Sequence, residues 1–242
     1  MIINAKERSH RSWAILLSAV ILLYAVSLSF LFGEARGEVI VDAFSEQQRP
    51  TVVVDAGHGG EDSGAVSPGN VYEKDLNLEI ALKLGEYLEA SGYNVVYTRT
   101  EDKLLYTEAE NIKGLRKISD LKNRTMIANS YSGAILVSIH MNSFGMASCS
   151  GLQVYYGTND PTSQTLAESV QGEVVKRLQP TNKRRVKSGS DIYVLENSTN
   201  PAILVECGFL SNPEECEKLC EKEYQKELSF AILCGIIEYI GK

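Results

Sequence analysis

Apolar positions follow three different rhythms along the chain. From Trp13 to Phe32 they form one run of 20 residues, interrupted only by Ser18, Ser27 and Ser29 and preceded by Lys6, Arg8 and Arg11. After residue 50 they fall into short β-rich runs: TVVVD (51–55), YNVVYT (93–98), AILVSIH (134–140), GLQVYYG (151–157), DIYVL (191–195) and AILVEC (202–207). Between these runs apolar residues recur every four positions. Leu76, Ile80, Leu84 and Leu88 mark one such stretch, closed by Gly92, and Leu166, Val170, Val174 and Leu178 mark another. Leu228, Ile232 and Ile236 mark a third, within a helical stretch over 213–240. Four-residue spacing predicts amphipathic helices, and short apolar runs bounded by turn residues predict strands. SDLKNRTMIANSY (119–131) also reads as a helix with Ser119 as its N-cap. Residues 101–118 are polar and irregular, an exposed excursion.

The resulting order, β-α-β-α-β-β-α-β-β-α, predicts one three-layer α/β domain over 51–242. Its sheet should be mixed but mostly parallel, with about six strands flanked by helices. Residues 38–50 are a spacer. Residues 1–37 are the N-terminal export segment, because a basic flank ahead of 20 apolar residues fits a transmembrane signal anchor oriented by its positive side. A signal peptide cleaved after Ala35 is the rival, with Gly33 and Ala35 as the small residues. Either form places residues 38–242 outside the cytoplasm.

Composition narrows the function. The 242 residues carry a net charge of −7, which disfavours a nucleic-acid binder built on a broad basic surface. Five cysteines (Cys149, Cys207, Cys216, Cys220 and Cys234) leave at least one unpaired within the chain, and no second pair accompanies Cys216 and Cys220 at zinc-ribbon spacing. Histidine is scarce: only His58 and His140 fall in the folded region, each where a predicted strand ends.

In an open, mostly parallel sheet, ligands bind at the carboxyl ends of the strands. His58 lies in the loop AGHGG, directly after the first strand, and His140 ends the third. Each taken singly could be a turn residue or a hydrogen-bonded structural histidine. Together they suit a catalytic zinc, which commonly takes two histidines and one carboxylate and keeps a position for water. Glu61, Asp62, Glu73 and Asp75 are the nearby acids. Glu73 is the choice, just ahead of a helix beginning near Asp75, while Glu61 and Asp62 shape the loop. Asp55 is a candidate partner to orient His58. Glu206 ends the apolar strand AILVE, where an unpaired carboxylate is costly. It is the candidate general base, with a salt-bridged structural glutamate as the alternative.

Six blocks then appear in one order: VVVDAGHGG, Glu73 before a helix, TR-x-x-D at 98–102, R-x-x-x-A-N at 124–129, SIHMN at 138–142 and VECGFLSN at 205–212. Over about residues 51–240 the chain resembles the zinc-dependent N-acetylmuramoyl-L-alanine amidases. Ala56 departs from the pattern, which usually has Pro there. The resemblance implies zinc on His58, Glu73 and His140, with Glu206 as catalytic glutamate. It further implies hydrolysis of the amide joining the lactyl group of muramic acid to the L-alanine of the peptidoglycan stem peptide, with no covalent intermediate. Within the family the chain is most similar to the sporulation type, which is short, has an N-terminal membrane segment and takes part in forming muramic-δ-lactam in spore cortex. That implies a location between the spore membranes, anchored or secreted, and a role leading to germination. Some sporulation amidases act with an activating partner protein, for which the 101–118 excursion is a candidate contact. Arg99 and Arg124 fit family motifs and suit either ion pairing or substrate binding. Two other classes stay open: a zinc peptidase cutting elsewhere in the stem peptide, and a membrane-anchored wall-binding protein without catalysis.

Overall fold

The computed structural model describes Val20 and residues 49–241. The Trp13–Phe32 run falls outside them apart from Val20. Among the described residues no helix is long and apolar enough to cross a membrane.

A six-stranded sheet runs through the unit that begins at Pro50, in the order β2-β1-β3-β6-β4-β5. The strands are β1 (Thr51–Ala56), β2 (Asn94–Tyr97), β3 (Ile135–Asn142), β4 (Gln153–Tyr156), β5 (Lys187–Ser188) and β6 (Ala202–Phe209). β2, β1, β3 and β6 are mutually parallel; β4 runs antiparallel to β6, and β5 is parallel to β4. Helices α1 (Glu73–Ala90), α3 (Ser163–Arg177) and α6 (Lys222–Ile240) cover one face, where Leu76, Ile80, Leu84 and Leu88 are all buried. Each such side chain contributes about 1.5–3 kcal/mol by leaving water. On the other face α2 (Arg116–Asn129) and α4 (Tyr193–Glu196) border a smaller core built around Val53, Leu136, Leu195 and Leu204. Alternation along β1, β3 and β6 therefore sends apolar side chains to both faces, as buried parallel strands require.

The structure corrects several sequence-based expectations. DIYVL (191–195) is not a strand: it enters the short helix α4, burying Val194 and Leu195. The sixth strand is instead the polar pair Lys187–Ser188 at the sheet edge. Residues 213–240 form two helices, α5 (Pro213–Cys220) and α6, separated at Glu221, whose backbone is extended. The second helix begins at Arg116 with Leu115 as N-cap, so Ser119 lies inside it. Leu178 caps α3 rather than completing its buried stripe. The 101–118 excursion is mostly exposed, but Leu104 is buried and Asp102 reaches back to the loop after β1. All five cysteines are free thiols.

Candidate active site

β1 delivers its chain into AGHGG at the carboxyl edge of the sheet. His58 takes φ of 60°, a left-handed conformation that side chains other than glycine seldom adopt. Strain of that kind persists only where surrounding contacts over-determine it, and here they do. Arg124 donates from Nη2 to the His58 carbonyl and from Nη1 to the Ala56 carbonyl. Arg99 donates to the carbonyls of Ala56 (2.9 Å) and Gly57 (3.0 Å), and also to that of Lys74 (2.8 Å) near the start of α1. Asp102 accepts from the Gly60 amide (2.7 Å) and pairs with Lys74. Both arginines are thus buried supports of the loop backbone, 2% exposed; Arg124 is ion-paired with Asp55 and Asp120, whereas the acceptors of Arg99 are backbone carbonyls.

Asp55 belongs to the same scaffold. It accepts from Arg124 Nη1 (2.7 Å), Thr98 Oγ1 (2.6 Å) and Ser138 Oγ (2.5 Å). Burial opposes its charge, but Arg124 and the two hydroxyls outweigh that and lower its pKa to about 2. None of its hydrogen bonds reaches the His58 ring. The partner that orients the ring is Asp62, whose Oδ2 lies 2.8 Å from His58 Nδ1, so the acid read only as a loop former also fixes an imidazole. Lys117 completes that corner, 3.0 Å from Asp62.

Glu73 opens α1 rather than preceding it, at the helix end that favours negative charge. It is 3% exposed and meets three amide donors and two imidazole nitrogens. Oε2 accepts from the Ala65 amide (2.7 Å), and Oε1 faces the Met141 amide (3.0 Å), Asn77 Nδ2 (3.3 Å), His140 Nδ1 (2.9 Å) and His58 Nε2 (3.2 Å). One lone-pair atom from each of His58, Glu73 and His140 lies within 4.8 Å of the other two. The rings of His58 and His140 meet edge to face, with centroids 5.0 Å apart. Burial would lower the His58 pKa, yet hydrogen bonds and charge from Asp62 and Glu73 raise it to about 9. Against its own burial, Glu73 is held well below the usual carboxylate range by the two histidines. Two glycines make room for this convergence. A Cβ on Gly57 would stand 2.2 Å from the His140 imidazole, and one on Gly64, where φ is 64°, would stand 2.5 Å from Glu73 Oε2.

Glu206 sits across the strand from His140, in the β3–β6 register. Its Oε2 is buried without a hydrogen-bond partner, and among the described residues no ion pair involves it. Burial raises its pKa to about 7, with His140 and His58 opposing the rise and Glu73 adding to it. The salt-bridged structural glutamate is therefore not what this position holds. The donor set itself fits zinc: two imidazole nitrogens and a carboxylate oxygen turned to one point, each with an outer hydrogen-bonding partner or a packed wall behind it.

Comparison with known proteins identifies the family. The N-acetylmuramoyl-L-alanine amidase family matches residues 52–238. The chain belongs to that family. The amidase is 36% identical over 188 residues to the germination-specific N-acetylmuramoyl-L-alanine amidase of Bacillus subtilis (strain 168), covering 78% of each chain. Among solved structures it is similar to the CwlD amidase of Clostridioides difficile, determined in complex with the GerS lipoprotein (TM-score 0.77, 39% identity, 80% of this chain and 99% of that one). An N-acetylmuramoyl-L-alanine amidase of Clostridium difficile 630 matches with TM-score 0.71 at 35% identity, over 80% of this chain and 98% of that one. As in these relatives, the enzyme is an N-acetylmuramoyl-L-alanine amidase.

Proposed function

We propose that the amidase is zinc-dependent, that His58 Nε2, Glu73 and His140 Nδ1 hold the metal, and that Glu206 is its general base. The observation carrying this reading is the meeting of His58, Glu73 and His140 at one point, with an unpartnered buried carboxylate opposite His140. Zinc, when bound, supplies a Lewis acid for the scissile carbonyl and lowers the pKa of water. Glu206, opposite His140 with one buried oxygen unpartnered, takes the proton of the attacking water and passes it to the departing alanine nitrogen. Asp62 holds the His58 ring, while Arg99, Arg124 and Asp55 hold the loop that carries it. The products are a muramic acid carboxylate on the glycan and a free stem peptide.

The germination-specific and CwlD relatives support a narrower assignment, to spore-cortex peptidoglycan and muramic-δ-lactam formation. The Trp13–Phe32 run, with its basic flank, supports an extracytoplasmic enzyme held at a membrane. The lipoprotein bound to the C. difficile relative supports an activating partner here as well. Mass spectrometry of muropeptides released by the purified chain, with and without zinc, tests the reaction. Free stem peptides beginning at L-alanine, released only with zinc, are expected; cuts at other peptide bonds would contradict it.

A further inference from the structure

Among the described residues, Arg184 near the catalytic cluster has no carboxylate partner. Arg184 lies in the segment between α3 and β5, half-buried, in the basic run Lys183-Arg184-Arg185 that leads to Lys187. Its Nε donates to the Ser150 carbonyl (2.8 Å) and its Nη1 to Gln153 Oε1 (3.3 Å). The guanidinium lies over the Phe209 ring, 4.6 Å from its centroid. Among the described residues these partners are two neutral oxygens and an aromatic ring. They fix the orientation of the group and place no carboxylate against its charge. Arg124, Arg177 and Arg116 all have carboxylate partners.

Sheet register aims that charge at the reaction. His140 pairs with Glu206 across β3 and β6, and Glu206 pairs with Gln153 across β6 and β4. Directly paired residues share a face, so the three side chains form one row, with about 5 Å between neighbouring strands. Arg184, bonded to the Gln153 amide, extends the row one side chain past Glu206. Tyr155, next on the same face of β4, is electrostatically coupled to both Glu206 and Arg184. Arg184 also lines a cleft of about 820 Å³ with Ser150, Gly151, Asn182, Lys183 and Lys218, which none of His58, Glu73, His140 and Glu206 borders.

We propose that Arg184 is a specificity-determining residue that binds a free backbone carboxylate on the second residue of the stem peptide. This rests on the proposed lactyl–L-alanine cleavage. In an extended chain that carboxylate lies two residues beyond the scissile carbonyl, about 7 Å away, on the Arg184 side of Glu206 when the peptide follows the row of paired side chains. A planar guanidinium, presenting several N–H donors in one plane, suits a carboxylate better than a lysine would.

Two soluble substrates separate the claims: muramyl-L-alanyl-γ-D-glutamyl-L-lysine, and the same compound with the glutamyl α-carboxylate converted to an amide. The full chain with Glu206→Gln should bind the carboxylate form about tenfold tighter than the amide form, the scale of one charge-assisted hydrogen bond. With Arg184→Gln added, the ratio should fall to near one; with Arg184→Lys, part of it should remain. With intact Glu206, kcat/KM should show the same tenfold preference and the same loss. A folding defect would lower both substrates together and leave the ratio standing. A ratio near one in the chain with native Arg184, or a tenfold ratio surviving Arg184→Gln, overturns the subsite while leaving the amidase reading intact. Failure of the zinc-loaded chain to cut either substrate at the lactyl amide, with release of other fragments instead, overturns both.

Discussion

Glu206 and His140 face each other across β6 and β3, and the Glu206 carboxylate keeps one buried oxygen, Oε2, without a hydrogen-bond partner. Leaving a polar atom buried and unpaired costs on the order of 1–3 kcal/mol, an expense that stability alone does not explain. A group with chemistry to perform does.

Removing any one of the three clustered donors should release the metal. His58→Ala, Glu73→Ala and His140→Ala are each expected to purify with little zinc, because each deletes one of three ligands. Elemental analysis of the purified variants checks this. A full zinc complement in any of them would remove that residue from the ligand set.

Asp62→Asn should act at one remove. The carboxylate at His58 Nδ1 fixes the ring and strengthens it as a donor, and partners of this kind typically alter metal affinity by about 10–100-fold. Zinc competition with a chelator should show a loss in that range, with little change in melting temperature. Wild-type affinity would mean that Arg124 and Arg99 position the loop without help from Asp62.

Gly57→Ala is a steric test of the same site. The added methyl would stand 2.2 Å from the His140 ring, so the imidazole or the loop must move. Zinc affinity and activity should fall together while the fold persists, checked by circular dichroism and metal content.

Asp55 should make the fold acid-sensitive. Its folded pKa, lowered to about 2, lies below the ordinary 3.8. A depressed carboxyl pKa gives stability that is fully present above the unfolded value and is lost as pH falls through the folded one. About 2 kcal/mol should therefore disappear between roughly pH 4 and pH 2. Asp55→Asn should cost on the order of 2 kcal/mol at neutral pH, because it removes one of the two carboxylates paired with buried Arg124 and leaves Asp120 in place. Denaturant titrations across pH, on wild type and variant, measure both.

What the sequence disclosed follows from which interactions are local. Leu76, Ile80, Leu84 and Leu88 repeat every four residues because one helix face is buried, so α1 was legible and its acidic start drew attention to Glu73. DIYVL misled because four or five apolar residues serve a strand and a helical turn equally well. Lys187–Ser188 carries no apolar pattern, being a two-residue edge strand. Asp55 was given the role that Asp62 fills because proximity in sequence says little about which carboxylate a ring will meet after a glycine-rich turn. Arg184 beside Gln153 depends on strand register and could be seen only in three dimensions.

The rate of lactyl–L-alanine cleavage by zinc-loaded Glu206→Gln tests the central claim most directly. Gln keeps size and polarity but cannot serve as a base. Its replacement of an unpartnered carboxylate should leave melting temperature and zinc content near wild type, while the rate falls by about 10²–10⁴-fold. A folded, zinc-loaded variant that cleaves at the wild-type rate would contradict the assignment of Glu206 and the mechanism built on it.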